Sequence, residues 1–151
     1  MTRATGALLI VNDRPDVAAA IEADGVHLGQ DDVPISVARA IMGPERWVGV
    51  STHDLDEAAA AVDAGADYLG VGPIFETSSK VGALPARGLA LLEAVRRTTD
   101  RPLVAIGGIT PETAMLVRAA GADAVAMIGA LTRATDPRAT VRSLVSRLAA
   151  A

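Results

Sequence analysis

Three polar clusters in this sequence carry side chains able to hold an anion or the cation that accompanies one. Asn12-Asp13 and Gln30-Asp31-Asp32 each place a carboxylate just after an apolar run, and Thr77-Ser78-Ser79-Lys80 sets three hydroxyls beside an ammonium. If the two runs are neighbouring strands, roughly 4.8 Å apart, Asp13 and Asp32 can converge on one Mg2+. That ion takes a few carboxylates and completes its octahedron with water and phosphate oxygens. Taken singly, Asp13 also reads as a turn or cap residue before Arg14-Pro15, and Asp31-Asp32 as the cap of the next helix. The Thr77 to Lys80 cluster is more specific: hydroxyls rotate to fit a phosphate and Lys80 supplies a point charge. A solvated polar loop is its competing reading.

Further along, Gly107-Gly108-Ile109-Thr110-Pro111 sets two glycines before an expected helix start, where free N–H groups and the helix dipole suit a phosphate. Met127-Ile128-Gly129-Ala130 repeats the arrangement one unit later. Together the clusters point to two anion sites on one face, a metal-assisted pyrophosphate site and a monophosphate nest. Ser51-Thr52-His53 offers a hydroxyl that either donates to an anion or satisfies the helix start that Asp54 caps. His53 reads as a solvated loop or cap residue. His27, inside an apolar run, reads as a hydrogen-bonded interior residue, since no second His stands at a ligand spacing.

The elements that must position these groups are legible as a repeat. Six short, near-continuous apolar runs occur: Leu8-Val11, Gly25-Gly29, Trp47-Val50, Tyr68-Gly72, Leu103-Gly108 and Ala124-Gly129. Runs of that kind suit parallel strands covered on both faces. Between them lie helical patterns: Asp54 with Glu57 forms a capping box before a helix expected to reach about Ala64. Thr110-Pro111 and Asp136-Pro137 each pair an N-cap residue with Pro at the first helical position. Ala64-Gly65-Ala66-Asp67 and Ala120-Gly121-Ala122-Asp123 repeat one helix-stop pattern. The chain is therefore a single α/β domain over residues 1–151, built from strand, loop, helix and short return.

Polar residues gather after each strand's C-terminal end, which favours a (β/α)8-barrel type over a dinucleotide sheet, and no Gly-x-Gly-x-x-Gly follows the first run. Six βα units are present where closure needs eight. An incomplete barrel of this kind has two edges that need cover, so a homo-oligomer is expected. With one Trp, one Tyr and one Phe, the core must be filled by Ala, Val, Leu and Ile. A formal charge of −4 without a basic block gives no footprint for nucleic acid or an anionic membrane surface. The chain has no cysteine, hence no disulfide frame, and no apolar run approaches the ~20 residues of a membrane span. A cytoplasmic setting is expected.

These motifs resemble thiamine phosphate synthase. The resemblance rests on Val11-Asn12-Asp13, Gly25-Val26-His27-Leu28-Gly29-Gln30-Asp31-Asp32, Gly49-Val50-Ser51-Thr52-His53, Asp67-Tyr68-Leu69-Gly70-Val71-Gly72-Pro73-Ile74-Phe75, Lys80 and Ala105-Ile106-Gly107-Gly108-Ile109. It implies a Mg2+-dependent transferase that joins hydroxymethylpyrimidine diphosphate to thiazole phosphate and releases pyrophosphate. Asp13 and Asp32 would hold Mg2+, Asn12, Ser51 and Lys80 would bind the pyrophosphate, and Thr77 and Ser79 would contact the thiazole phosphate. Gly108 and the Ile128-Gly129 backbone would hold its monophosphate, with Ser51 and Lys80 as the catalytic pair. The sequence opens at what resembles the family's third strand, Ser79 stands where Thr is usual, and Gly129 stands where Ser is frequent. Two alternatives accompany this reading: a non-catalytic phosphate-binding remnant, and the related thiazole tautomerase branch, which resembles a variant with His at the position of Pro73.

Overall fold

A computed structural model describes residues 2–78 and 84–149. After a single 3-10 turn at Thr2–Ala4, strands and helices alternate. They run β1 (Ile10–Asn12), α1 (Pro15–Ala20), β2 (Gly25–Leu28), α2 (Ile35–Met42), β3 (Trp47–Thr52), α3 (Leu55–Asp63) and β4 (Tyr68–Val71). There follow α4 (Gly88–Arg96), β5 (Leu103–Ile106), α5 (Ala114–Ala119), β6 (Ala124–Ala126), α6 (Gly129–Thr132) and α7 (Pro137–Ala149). All six strands are parallel and lie in sequential order in one curled sheet. The fold is a partial (β/α)8 barrel of six units, as the strand count in the sequence requires.

Strand register sorts every side chain to one of two faces. Leu28, Val50, Leu69 and Leu103 are aligned across four strands, and Val26 with Val48 sits two residues earlier on the same face. All six are buried. They pack against Ala18, Ala38, Ala58, Leu92, Val95 and Val117 of the surrounding helices. Alanines at the closest approaches let the helices settle near the sheet, which is how so few aromatics suffice for a dense core.

The opposite, inward face is sparser. It carries His27, Gly49 and Tyr68 in one register row, and Ser51, Gly70, Val104 and Ala124 in the next. Trp47 is 40% exposed and Ile106 37% exposed on this face, values expected for a barrel interior that is not enclosed by the six described strands.

Local expectations are met where a side chain dictates them. Asp54 accepts from the Glu57 N–H at 2.8 Å and Asp136 from the Ala139 N–H at 2.9 Å, so both caps form. Gly65 and Gly121 adopt φ of 87° and 104°, the left-handed stops their repeated pattern requires. Three expectations are corrected. β1 begins at Ile10, not Leu8, because the Leu9 N–H turns to the Asp24 carboxylate at 2.7 Å. Thr110-Pro111 does not open α5: the Thr110 N–H donates to Thr113 Oγ1 at 2.9 Å, closing a turn, and the helix starts at Ala114. Asp31 and Asp32 do not cap α2, which begins after Pro34 with no side-chain cap. No helix among the described residues is long and apolar enough to cross a membrane.

Candidate active site

Every described candidate residue lies at or beyond the C-terminal end of a parallel strand, so all share one rim of the sheet. Asn12 ends β1 and Asp13 follows it. The Asp13 N–H donates to the His27 carbonyl at 2.8 Å, extending the β1–β2 ladder by one residue and fixing Asp13 against the neighbouring strand. Asp13 takes φ of 64°, and Asn12 Nδ2 donates to its Oδ1 at 2.6 Å. Asp32 folds back after β2, where its Oδ2 accepts from the Gly29 N–H at 2.7 Å. The two carboxylates thus stand at adjacent strand ends, each steadied by a local donor.

Whether this pair suits a divalent ion is a question of donor chemistry. Two hard carboxylate oxygens without thiolate or imidazole match Mg2+ better than a softer metal. Among the described residues no group of three His, Cys, Asp or Glu side chains gathers into a site held by protein ligands alone. Arg14, the cation nearest in sequence, is paired instead with Asp16, its Nε and Nη2 donating to that carboxylate at 2.8 and 2.6 Å. That pair holds the exposed Asp16 carboxyl down at about 2.

Ser51 sits at the inner face near the end of β3, and its surroundings are built. Gln30 Nε2 donates to the Ser51 carbonyl at 2.6 Å, while Ser51 Oγ lies 2.9 Å from His27 Nε2. His27 Nδ1 lies 3.0 Å from the Tyr68 hydroxyl, and the two rings stack at 5.5 Å with an interplanar angle of 27°. His27 is the hydrogen-bonded interior residue its sequence context suggested. Burial pushes its imidazole below the ordinary value, partly offset by the Asp32 charge. Burial also pushes the Tyr68 phenol up to about 12. His53 plays a different part: its backbone N–H and Nδ1 both meet Glu57 Oε2 at 2.8 Å, a helix-start arrangement. Glu57 thereby returns its capping-box bond one residue earlier than the standard pattern.

Phosphate-sized features follow on the next strands. Thr77 is half-buried on the loop after β4; Ser79 and Lys80 lie outside the described residues. Gly107 and Gly108 adopt φ of 95° and 62°. A Cβ on Gly108 would meet the Glu76 carbonyl at 2.4 Å, so only glycine lets the β5 loop lie against the loop that carries Thr77. Ile128 is exposed and Gly129 opens the short α6 with the Arg133 guanidinium beside it. A small cleft of about 160 Å3 on the inner face is lined by His27, Tyr68, Gly70, Val104, Ile106 and Ala126.

Sequence reasoning missed Tyr68 and Gln30 as site residues. Gln30 stood within a quoted motif, but its tie to Ser51 depends on strand adjacency. Tyr68 opened an apolar run and stood within a quoted motif, but nothing local gave it a role of its own. The one available signal was Gly49 on the preceding strand, since a Cβ there would fall 1.9 Å from Tyr68 Cζ.

Known proteins resemble this chain in sequence and fold. A family model described as thiamine monophosphate synthase matches residues 1–131. The thiamine-phosphate synthase of Chloroflexus aurantiacus is 51% identical over 144 residues, covering 95% of this chain and 66% of its own length. That of Moorella thermoacetica is 52% identical over 144 residues, covering 95% of this chain and 69% of its own. Among solved structures, a thiamine phosphate pyrophosphorylase from Pyrococcus furiosus superposes with a TM-score of 0.90 at 40% identity, over 99% of this chain and 71% of that one. The chain spans about two thirds of the length of the curated relatives it matches. A model match over most of its residues, joined to half-identical relatives and a common fold, makes this chain a member of the thiamine monophosphate synthase family.

Proposed function

We propose that this chain carries the thiamine phosphate synthase reaction in the cytoplasm: hydroxymethylpyrimidine diphosphate and thiazole phosphate combine, and pyrophosphate leaves. The observation that carries the reading is the common rim: Asn12 and Ser51 lie in the last two residues of their strands, and Asp13, Asp32, Thr77, Gly108 and Ile128-Gly129 follow strand C-termini. In the reaction the bond between the pyrimidine methylene carbon and the diphosphate oxygen breaks, its electron pair leaving with pyrophosphate. The thiazole nitrogen then supplies a pair to the resulting carbocation.

Residue roles follow from chemistry and position. Asp13 and Asp32 would hold Mg2+, which when bound neutralises charge on the departing diphosphate. Asn12 and Ser51 supply hydrogen bonds to that group, and Lys80, beyond the described residues, supplies an ammonium. Thr77 and Ser79 contact the thiazole phosphate, and the backbone at Gly108 and Ile128-Gly129 accepts its monophosphate. No covalent protein intermediate is needed. The chain is further read as a homo-oligomer in which the edge strands β1 and β6 are covered.

One observation favours a second reading, a non-catalytic phosphate-binding remnant: the inner face exposes Trp47 and Ile106. A tautomerase role is weaker, because Pro73 has no group to exchange a proton. Turnover with both substrates distinguishes the first two, and coupled release of pyrophosphate is the expected result. In parallel, calorimetry with Mg2+ and pyrophosphate should show weaker binding after Asp32→Ala; undiminished binding removes the metal bridge from the site.

A further inference from the structure

Ser51 can help a departing anion only if its hydroxyl proton is directed at it, and the structure contains a device that decides this. His27 lies between Ser51 Oγ at 2.9 Å and the Tyr68 hydroxyl at 3.0 Å. A neutral imidazole has one donor and one acceptor nitrogen, so the pair of bonds has only two consistent directions. In one, Ser51 donates to Nε2, and its hydroxyl has nothing left to give an anion. In the other, Nε2–H donates to Ser51, whose own proton must find an acceptor elsewhere.

The phenol tips the balance. A tyrosine hydroxyl, with an ordinary pKa near 10, is a far stronger acid than a serine hydroxyl. It is therefore the better donor of the two competing for the imidazole lone pair. We propose that Tyr68 and His27 are positioning residues: Tyr68 O–H donates to His27 Nδ1, His27 Nε2–H donates to Ser51 Oγ, and the Ser51 proton is thereby turned away from the imidazole and left for an anion.

The surrounding backbone is shaped to hold this relay. Gly49 leaves the space that the Tyr68 ring fills, since a Cβ would come within 1.9 Å of it. Gly70 does the same for His27, with its Cβ position 2.9 Å from Cε1. Gln30 Nε2 anchors the Ser51 carbonyl at 2.6 Å, so the serine itself cannot swing away freely. His27, Tyr68 and Gln30 thus hold Ser51, with Gly49 and Gly70 making room for the two rings. His27 and Tyr68 also line the small cleft of the inner face.

This inference rests on the reading of Ser51 as a pyrophosphate donor, but its first test does not. Nitrogen NMR of ring-labelled wild-type chain, with His27 distinguished from His53 by His27→Gln, reports the tautomer directly. A protonated Nε2 and bare Nδ1 are expected; a protonated Nδ1 overturns the proposal. Tyr68→Phe removes the donor to Nδ1 and is expected to shift His27 toward the Nδ1-protonated form. In calorimetry with Mg2+ and inorganic pyrophosphate, it should weaken binding roughly tenfold, the scale of one hydrogen bond to a charged group. Combining it with Ser51→Ala should add little further loss. An unchanged tautomer and affinity in Tyr68→Phe also overturns the relay. If Ser51→Ala leaves pyrophosphate affinity intact while the wild-type tautomer is as expected, the relay stands and the assignment of its acceptor fails.

Discussion

At the scale of single residues, the inner face is governed by what a glycine omits. Tyr68 lies over Gly49 and His27 over Gly70, so the aromatic pair occupies space that any other residue would fill. Gly49→Ala should therefore displace the Tyr68 ring and cost about 1–3 kcal/mol, the usual penalty for overpacking, measured by urea denaturation. Loss of near-ultraviolet tyrosine ellipticity should accompany it; an unaltered spectrum would show that the ring has room to move. Burial sets a second expectation. Tyr68 is raised from the ordinary 10.0 to about 12 in the folded chain, so the unfolded chain loses its phenolic proton first. Its contribution to stability is full below about pH 10 and declines as pH climbs toward about 12. As the sole tyrosine in the sequence, its ionisation can be followed by tyrosinate absorbance without interference from another. A transition near pH 10 in folded protein would contradict its burial.

At the scale of elements, one device recurs where strands begin. Asp24, Asp67 and Asp123 each sit just before a strand start and accept from an N–H at or next to the start of the preceding strand. The partners are Leu9 at 2.7 Å, Val48 at 2.7 Å and Leu103 at 2.8 Å. A parallel ladder leaves such an N–H unpaired at the sheet's end, and the carboxylate supplies the missing acceptor. Two of the three aspartates also hold an arginine from a helix: Asp67 meets Arg39 at 2.5 Å, and Asp123 meets Arg96 at 3.0 Å. The Ala-Gly-Ala-Asp repeat therefore does two things, ending a helix at its glycine and pinning a strand at its aspartate. Asp67→Ala orphans the Val48 N–H and takes the ion pair from the half-buried Arg39, whose remaining bonds go to the Arg46 and Gly65 carbonyls. It is expected to cost about 1–3 kcal/mol, visible as a lower urea midpoint. A change within about 0.5 kcal/mol, the range of neutral surface substitutions, would mean that water replaces the carboxylate at this sheet end.

At the scale of the whole molecule, the two faces of the sheet have unequal fates. The outer face is sealed by helices, with Val26, Val48, Leu69, Val71 and Leu103 fully buried. The inner face is open, and the terminal strands β1 and β6 each have a single neighbour among the described residues. Open strand edges and exposed apolar surface favour association. Sedimentation of the chain should show dimers or larger species, with Trp47 emission shifting to shorter wavelength as concentration rises. A monomer with constant emission across that range would exclude cover by a second copy.

The sequence by itself determined the local order of this protein. Six apolar runs gave six parallel strands, aspartate caps opened helices and glycine stops ended them where expected, and the polar clusters marked one rim. These features depend on a few adjacent residues, so a short stretch of chain carries the whole cause. The start of α5 failed for the same kind of reason, because two threonines four positions wide formed a turn of their own before the helix. Tertiary structure alone decided what depends on register. His27, Gly49 and Tyr68 share a row, and Ser51 meets both His27 and Gln30, only because three strands align at particular residues. A shift of one position would turn every one of these side chains to the other face, and no local pattern encodes that alignment.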